Sequence, residues 1–165
     1  MADNKTRPAE LAGKIFEMLN ARDLEGVGQL QQPDVVDDFV AIGPCRGRAE
    51  VRRFFEGLFA AFPDFHLEVQ NIHGDERHAT VQWHATGTLT GAPFQGVAPN
   101  GKRIELRGVD VMVFADGKLA HNTIYYDGAA FARGVGLLPP AGSRVEQGMF
   151  AAFNAVTAVR RTLGV

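Results

Sequence analysis

The residues of this chain best able to do chemistry lie in one predicted strand, residues 118–127, which follows an Asp116-Gly117 turn. Strand side chains alternate between two faces, so four polar groups share one side. These are His121, Thr123, Tyr125 and Asp127. A sheet face that meets an apolar core rarely carries so many polar groups unless a cavity lies there. The pattern therefore predicts a pocket, with Asp127 as the first candidate for acid/base chemistry.

Asp127 could remove a proton from a carbon beside a carbonyl group. Burial in an apolar cavity raises the pKa of a carboxyl group because its charged form loses solvation. A pKa near neutrality suits a general base. Tyr125 or His121, on the same face, could donate a hydrogen bond to the enolate oxygen. The alternative is that Asp127 caps a helix beginning near Gly128, and the sequence leaves both interpretations open.

Asp110 is the second catalytic candidate because it interrupts a row of apolar side chains in a strand predicted over residues 102–114. The row contains Ile104, Leu106, Met112 and Phe114. If this row lines the cavity, two carboxyl groups share an apolar site and their pKa values separate. The alternative is a buried acid paired with an arginine or with backbone donors.

The other polar residues show no pattern of a metal or nucleophile site. No two histidines have the i, i+4 spacing of a helical zinc site, and Cys45 is the single cysteine, so we expect no metal. Glycine-rich phosphate loops and nucleophile elbows are also missing from the sequence. His84 follows Trp83 in another predicted strand, and alternation alone does not say which of the two faces the pocket.

Composition narrows the class of protein. A chain of 165 residues fits one folded core, and a net charge of −2 offers no electrostatic footprint for nucleic acid. We expect no membrane partner, because no apolar run is long enough to span a bilayer. A single cysteine and the lack of a signal-peptide core near Met1 predict a cytoplasmic protein.

Helices are predicted first along the chain and strands afterwards. Helices are expected from Pro8 onward, over residues 24–30 and from Gly47 to the residues before Pro63, with a short edge strand over residues 34–41. After Pro63 the apolar period changes from 3.6 to 2, which predicts strands at 65–73, 77–90, 102–114 and 118–127. This order indicates an α+β fold with N-terminal helices packed on a curved antiparallel sheet.

The C-terminal residues predict an additional helix. Ser143 and Glu146 have the spacing of a capping box, and an amphipathic stripe follows them. We therefore divide the chain into a domain over residues 1–140 and a helical extension over residues 141–165. The extension is expected to pack on its own domain. The alternatives are that it covers a pocket mouth or docks on a second subunit.

Several segments resemble the SnoaL-like polyketide cyclase (ester cyclase) family, over roughly residues 9 to 140. They are residues 47–55 and 61–65, Trp83 with residues 86–88, residues 100–102, residues 126–128 and residues 136–139. The resemblance implies the cone-shaped α+β barrel of the nuclear transport factor 2-like superfamily, with a pocket between sheet and helices, and a homodimer. It also implies ring closure by intramolecular aldol condensation without metal or cofactor. The acid/base of that family is an aspartate at the end of the last strand, where Asp127 stands.

Four positions depart from the family pattern. Leu89 stands where the family commonly has a histidine, and Thr123 replaces a tryptophan of the last strand. Gly134 begins a Gly-Val-Gly in place of Gln-Leu-Gly, and Asp38 stands where a histidine is often found. The fold is expected to be shared, while the pocket chemistry and substrate are expected to differ.

The sequence thus supports two functions. The first is a cofactor-independent cyclase or isomerase that acts on a small hydrophobic carbonyl compound, with Asp127 as general acid/base. The second is a non-catalytic dimeric module that binds a small apolar ligand. The residues expected to line the pocket are Phe39, Phe55, Phe59, Trp83, His84, Met112 and Thr123.

Overall fold

Helices and strands follow one another in the predicted order, with one additional strand at residues 43–46 that the sequence analysis did not predict. The computed structural model describes residues 7–163 and contains, over that range, five helices and a six-stranded sheet. The helices are α1 (Pro8–Asn20), α2 (Leu24–Gln29), α3 (Gly47–Ala61), α4 (Gly128–Gly134) and α5 (Arg144–Leu163). The strands are β1 (Gln31–Phe39), β2 (Gly43–Arg46), β3 (His66–Gly74), β4 (His78–Thr88), β5 (Arg103–Ala115) and β6 (Lys118–Tyr126).

The N-terminal helices form where apolar side chains recur at helical spacing. In α1, Pro8 occupies the first turn, and Leu11, Ile15 and Leu19 are buried one turn apart. In α3, the carboxylate of Glu50 accepts a hydrogen bond from the backbone N–H of Arg46 at 2.7 Å, which caps the start of the helix. Burial of these stripes holds both helices against the same face of the sheet.

The sheet has the strand order β2-β1-β6-β5-β4-β3. Its pairs are antiparallel except β1 with β6, which run parallel. The predicted α+β class with helices on a curved sheet is confirmed. The prediction of an edge strand at residues 34–41 is wrong, because β2 pairs with the far side of β1 and takes the edge.

The turn between β5 and β6 has the backbone that its sequence predicts. Asp116 and Gly117 both have positive φ, at 51° and 72°. Two successive left-handed residues make a two-residue hairpin turn whose twist matches that of the strands, and Asp-Gly is a favoured pair for it. The hairpin fixes β5 and β6 side by side at the centre of the sheet.

The two faces of the sheet differ. Helices α1, α2 and α3 lie on one face and enclose a cavity with it, which we call the cavity face. The opposite side, the outer face, carries side chains such as Val111 and Tyr125, which are exposed to solvent. No helix within residues 7–163 is both long and apolar enough to cross a membrane.

Helix α5 begins as predicted, with the hydroxyl of Ser143 accepting a hydrogen bond from the N–H of Glu146. The carboxylate of Glu146 pairs with Arg133 of α4 at 2.9 Å and accepts a hydrogen bond from the N–H of Gly142. The apolar side chains of α5 are nevertheless exposed to solvent: Val145, Met149, Phe150, Phe153, Val156 and Val159.

A candidate active site with two buried carboxyl groups

The cavity between sheet and helices is apolar over most of its wall. It has room for the centres of water-sized molecules over about 90 Å³, and about 860 Å³ lies between its wall atoms when the open solvent beside it is counted. Helices α1, α2 and α3 contribute only apolar side chains to it, and α4 contributes Phe131. A largely apolar concavity with a few polar groups is the usual form of a small-molecule site.

Phenylalanine rings form a continuous part of the cavity wall. The ring centroids of Phe39 and Phe54 lie 4.2 Å apart, those of Phe54 and Phe94 6.0 Å, and those of Phe94 and Phe131 6.2 Å. Phe94 comes from the loop between β4 and β5, so this loop forms part of the wall. Aromatic walls of this kind favour a flat, apolar ligand.

Asp110 projects from β5 into the cavity and is only 7% exposed. Its Oδ1 accepts a hydrogen bond from Trp83 Nε1 at 2.7 Å, and its Oδ2 accepts one from Asn122 Nδ2 at 2.7 Å. Burial raises the pKa of Asp110 to about 6, and the two donors oppose this rise because they stabilise the charged form. At neutral pH Asp110 is therefore mainly a carboxylate.

Asp37 projects from β1 into the same cavity and is 3% exposed. Its Oδ1 is buried and has no hydrogen-bond partner within the part of the chain that the structure describes. Burial, with the charge of Asp110 as a second cause, raises the pKa of Asp37 to about 8. At neutral pH Asp37 therefore keeps its proton.

Asn122 connects the two carboxyl groups. It is the β6 neighbour of Asp37 in the parallel β1–β6 pair, and it donates to Asp110. Its amide orientation follows from this contact, because the reversed amide would set oxygen against carboxylate oxygen. Asn122 Oδ1 is buried without a partner among the described residues. A protonated Asp37 can supply the missing donor, so one proton can satisfy both groups.

The prediction that His121, Thr123 and Tyr125 face the pocket is wrong. A bulge between Leu119 and His121 interrupts the alternation of β6. Leu119 faces the cavity, but after the bulge Asn122, Ile124 and Tyr126 do so instead. His121, Thr123 and Tyr125 consequently lie on the outer face, where Tyr125 is 52% exposed.

Asp127 does not line the cavity. It is the N-cap of α4, and its Oδ1 accepts hydrogen bonds from the N–H groups of Ala129 at 2.8 Å and Ala130 at 3.1 Å. Its side chain is exposed. The expected position of Asp127 on the pocket wall is therefore wrong, and the capping alternative that the sequence left open describes it.

Two of the predicted lining residues also lie elsewhere. His84 is on the outer face, where its Nε2 lies 3.0 Å from a carboxylate oxygen of Glu105. Phe59 packs beneath the guanidinium of Arg22, whose Cζ lies 4.1 Å from the ring centroid. Five predicted residues do meet at the cavity: Phe39, Phe55, Trp83, Asp110 and Met112.

Asp37, Asn122 and Tyr126 are the site residues that the sequence analysis missed. A signal existed for Asp37, because it lies two residues before Phe39 and two after Val35, and all three share the buried face of β1. Asn122 and Tyr126 become cavity residues only through the bulge in β6. Burial raises the pKa of the Tyr126 hydroxyl, which therefore stays a hydrogen-bond donor for a ligand.

The arrangement places one base and one acid in a largely apolar cavity. Asp110 can accept a proton, and Asp37 can donate one at the same pH, because their surroundings hold their pKa values apart. Among the described residues, no cluster of three or more histidine, cysteine or acidic side chains could bind a metal ion. The groups on hand suit proton transfer.

A cavity of this kind, enclosed by helices on a six-stranded sheet, defines a class of small-molecule enzymes and binding proteins. This chain belongs to one of its families, the SnoaL-like polyketide cyclases, whose sequence profile matches residues 9–135. Membership supports a cyclase-type role. Helix α5 lies beyond the matched residues. Among curated proteins, none matches the chain.

Solved structures share the fold. A candidate SnoaL-like polyketide cyclase from Jannaschia sp. CCS1 has a TM-score of 0.74 at 22% identity, over 84% of this chain and 98% of that chain. The candidate hydroxylase AclR from Streptomyces galilaeus has a TM-score of 0.70 at 26% identity, over 92% and 94%. The candidate polyketide cyclase IdmH from Streptomyces antibioticus has a TM-score of 0.66 at 25% identity, over 78% and 98%.

Proposed function

We propose that the protein catalyses an aldol-type ring closure or a proton shift in a small hydrophobic carbonyl compound. In this proposal Asp110 is the general base and Asp37 the general acid. The observation that carries it is that two buried carboxyl groups face one apolar cavity and titrate in different ranges. Asp127, which caps α4, has no part in the reaction.

The first step is removal of a proton from the carbon beside a carbonyl group. Asp110 is suited to this step because its pKa of about 6 keeps it ionised at neutral pH while leaving it more basic than an exposed aspartate. The apolar side chains around Asp110 solvate its charge poorly, so the carboxylate is a stronger base than an exposed one.

The second step adds the new carbanion to another carbonyl carbon of the same molecule. The oxygen of that second carbonyl gains negative charge, and neutral Asp37 can donate its proton to it. The carbon-bound proton ends on Asp110 and the proton of Asp37 on the new hydroxyl group. The product keeps all atoms of the substrate, and return of a proton from Asp110 to Asp37 by way of a water molecule restores the site.

The wall of the cavity defines the kind of substrate. The phenylalanine rings of the wall offer apolar faces, while the polar groups of the cavity face are concentrated on β1, β5 and β6. A flat compound with one polar edge therefore fits, with its carbonyl groups toward Asp37 and Asp110 and its apolar face toward α3.

Deuterium exchange at the α-carbon of β-tetralone, a flat apolar ketone, tests the proposal. Proton NMR in D₂O follows the exchange with the unmodified chain and with Asp110→Asn, Asp37→Asn and Asp127→Asn. We expect Asp110→Asn to slow the exchange by about 100-fold or more, which is the usual contribution of a general base. Asp37→Asn is expected to slow it as well, whereas Asp127→Asn is the matched control and keeps the rate, because asparagine caps a helix as well as aspartate does.

The same experiment distinguishes the binding module. Trp83 is the only tryptophan of the chain and lines the cavity, so its fluorescence reports ligand binding. If β-tetralone saturates the fluorescence change but exchanges no faster than with Asp110→Asn, the acid/base proposal is wrong. The protein would then be a module that binds apolar ligands.

A further inference from the structure

Trp83 occupies its position only because residue 108 is a glycine. The two residues are directly opposite each other in the antiparallel β4–β5 pair, and both belong to the rows that face the cavity. A Cβ atom on Gly108 would lie 2.2 Å from Cζ2 and 2.4 Å from Cη2 of the Trp83 ring. It would also lie 2.6 Å from the carbonyl oxygen of Tyr125. The indole therefore lies directly over the space that a side chain at position 108 would fill.

This position carries the indole N–H to Asp110. Asp110 is two residues beyond Gly108 on β5, so Trp83 reaches it diagonally across the strand pair. Its Nε1 lies 2.7 Å from Asp110 Oδ1, and Trp83 is 6% exposed. A buried hydrogen bond to an ionised oxygen is stronger than one between neutral groups.

The donors in the cavity are distributed unequally between the two carboxyl groups. Trp83 and Asn122 both donate to Asp110, whereas Asp37 Oδ1 lacks a partner among the described residues. The titratable side chains that line the cavity are Asp37, Asp110 and Tyr126, all from the sheet. The lining side chains that come from α1, α2 and α3 are apolar. Of the side chains that the structure describes, none that lines the cavity is positively charged, so the N–H donors distinguish the two acids.

We infer that Trp83, seated on Gly108, is a positioning residue that makes Asp110, rather than Asp37, the carboxyl group that takes the proton of the substrate. The inference rests on the proposed function for the identity of the base. One part of the inference does not depend on the reaction: the indole N–H determines which carboxyl group is ionised, with or without a bound ligand. Asn122 supplies the second donor to Asp110, but it is also the strand neighbour of Asp37. Trp83 is therefore the donor that acts on Asp110 without also neighbouring Asp37 in the sheet.

Carboxyl ¹³C NMR of the full chain tests the inference directly. The signals of Asp110 and Asp37 are assigned by their loss in Asp110→Asn and Asp37→Asn, and each is titrated in the unmodified chain, Trp83→Phe, Gly108→Ala and Met112→Leu. Trp83→Phe keeps an aromatic ring but removes the N–H. We expect it to raise the pKa of Asp110 by about one unit or more, the equivalent of one hydrogen bond to a charged group.

Gly108→Ala is expected to act in the same direction, since the added Cβ displaces the ring while the N–H is retained. Met112→Leu changes a neighbouring cavity side chain without touching a donor and is expected to leave the pKa of Asp110 in place. If Gly108→Ala does not fold, the titration of Asp110 in Trp83→Phe tests the inference by itself. The acid limb of the pH profile for β-tetralone exchange is expected to move with the pKa, by about one pH unit in Trp83→Phe.

An unchanged pKa of Asp110 in folded Trp83→Phe would overturn the inference. So would an equal rise in Met112→Leu, because the effect would then reflect cavity packing and not the donor. Either result leaves the proposed function standing if Asp110→Asn still loses exchange. Conversely, if Asp110→Asn exchanges as fast as the unmodified chain, the proposed function fails, even where the titration of Trp83→Phe behaves as expected.

Discussion

Asp37 costs the folded chain stability at alkaline pH. Its carboxyl group is buried, has one oxygen without a partner within residues 7–163, and lies near a second acid. An apolar residue at this position would give a more stable fold, since burying an ionised carboxyl group without a partner raises the free energy of the folded state. Buried acids with separated pKa values are instead typical of sites that transfer protons.

This cost predicts a pH-dependent stability. The folded chain keeps the Asp37 proton up to about pH 8, whereas the unfolded chain releases it near pH 3.9. Between these values the folded chain binds more protons, so the free energy of unfolding falls as pH rises, by up to about 1.4 kcal/mol per pH unit. Below about pH 4 protonated Asp37 makes its full contribution to the free energy of unfolding, and above about pH 8 that contribution is lost.

Urea unfolding at a series of pH values measures this slope. Asp37→Asn cannot ionise, so we expect its stability curve to be flatter than that of the unmodified chain between about pH 6 and pH 8. Subtracting the two curves removes the contribution of the histidines, which both proteins share. Parallel curves would show that Asp37 is ionised in the folded chain, contrary to the proposed acid role.

Strand β6 explains why the site was only partly predictable. The alternation of polar residues along it was read correctly as one shared face, because His121, Thr123 and Tyr125 do lie together. The prediction that this shared face lies toward the cavity is wrong, because a bulge after Leu119 exchanges the two faces of the strand. No residue type in the strand indicates the bulge. Strand β1, without a bulge between Val35 and Phe39, would have given Asp37 by alternation alone.

Helix α4 depends on Asp127 for its first turn. Two of its N–H groups donate to the Asp127 carboxylate, and the helix has only seven residues. Asp127→Ala is expected to lower the free energy of unfolding by about 1 kcal/mol, and Asp127→Asn by much less, because the amide oxygen can accept the same hydrogen bonds. Urea unfolding measures both. Equal losses in the two variants would mean that the charge of Asp127, and not its capping geometry, stabilises α4.

The fold as a whole followed from patterns that the sequence shows plainly. The change of apolar period after Pro63, the Asp-Gly turn and the stripe of α3 are local signals, and each produced the expected element. The parallel pairing of β1 with β6 joins residues far apart in the chain and has no local signal. That pairing brings Asp37 beside Asn122, so the site depends on a long-range contact as well as on the bulge in β6.

The outer face suggests how two copies would associate. Val111 and Tyr125 are large apolar or aromatic side chains exposed at the centre of the sheet, on strands β5 and β6. We propose a homodimer through this face, since exposed apolar patches on a sheet commonly mark an interface. This association would leave the cavity face of each copy open to its ligand.

Size-exclusion chromatography with light scattering tests the dimer. Val111→Lys with Tyr125→Lys is expected to give a monomer, because charged groups then meet across the interface. Glu17→Lys, on the exposed side of α1 and therefore away from the outer face, is the control and is expected to leave the dimer intact. A monomer in the unmodified chain, or dissociation by Glu17→Lys alone, would contradict the proposed interface.

The proposed acid/base chemistry depends on two aspartates with raised pKa values in one cavity, and carboxyl ¹³C NMR titration of the unmodified chain measures both pKa values. We predict that Asp37 titrates near pH 8 and Asp110 near pH 6, each signal being absent from the corresponding asparagine variant. Titration of both groups at or below about 3.9, the ordinary value for aspartate, would contradict the proposed chemistry. The cavity would then hold two solvated carboxylates, and the acid/base chemistry proposed for it would have no basis.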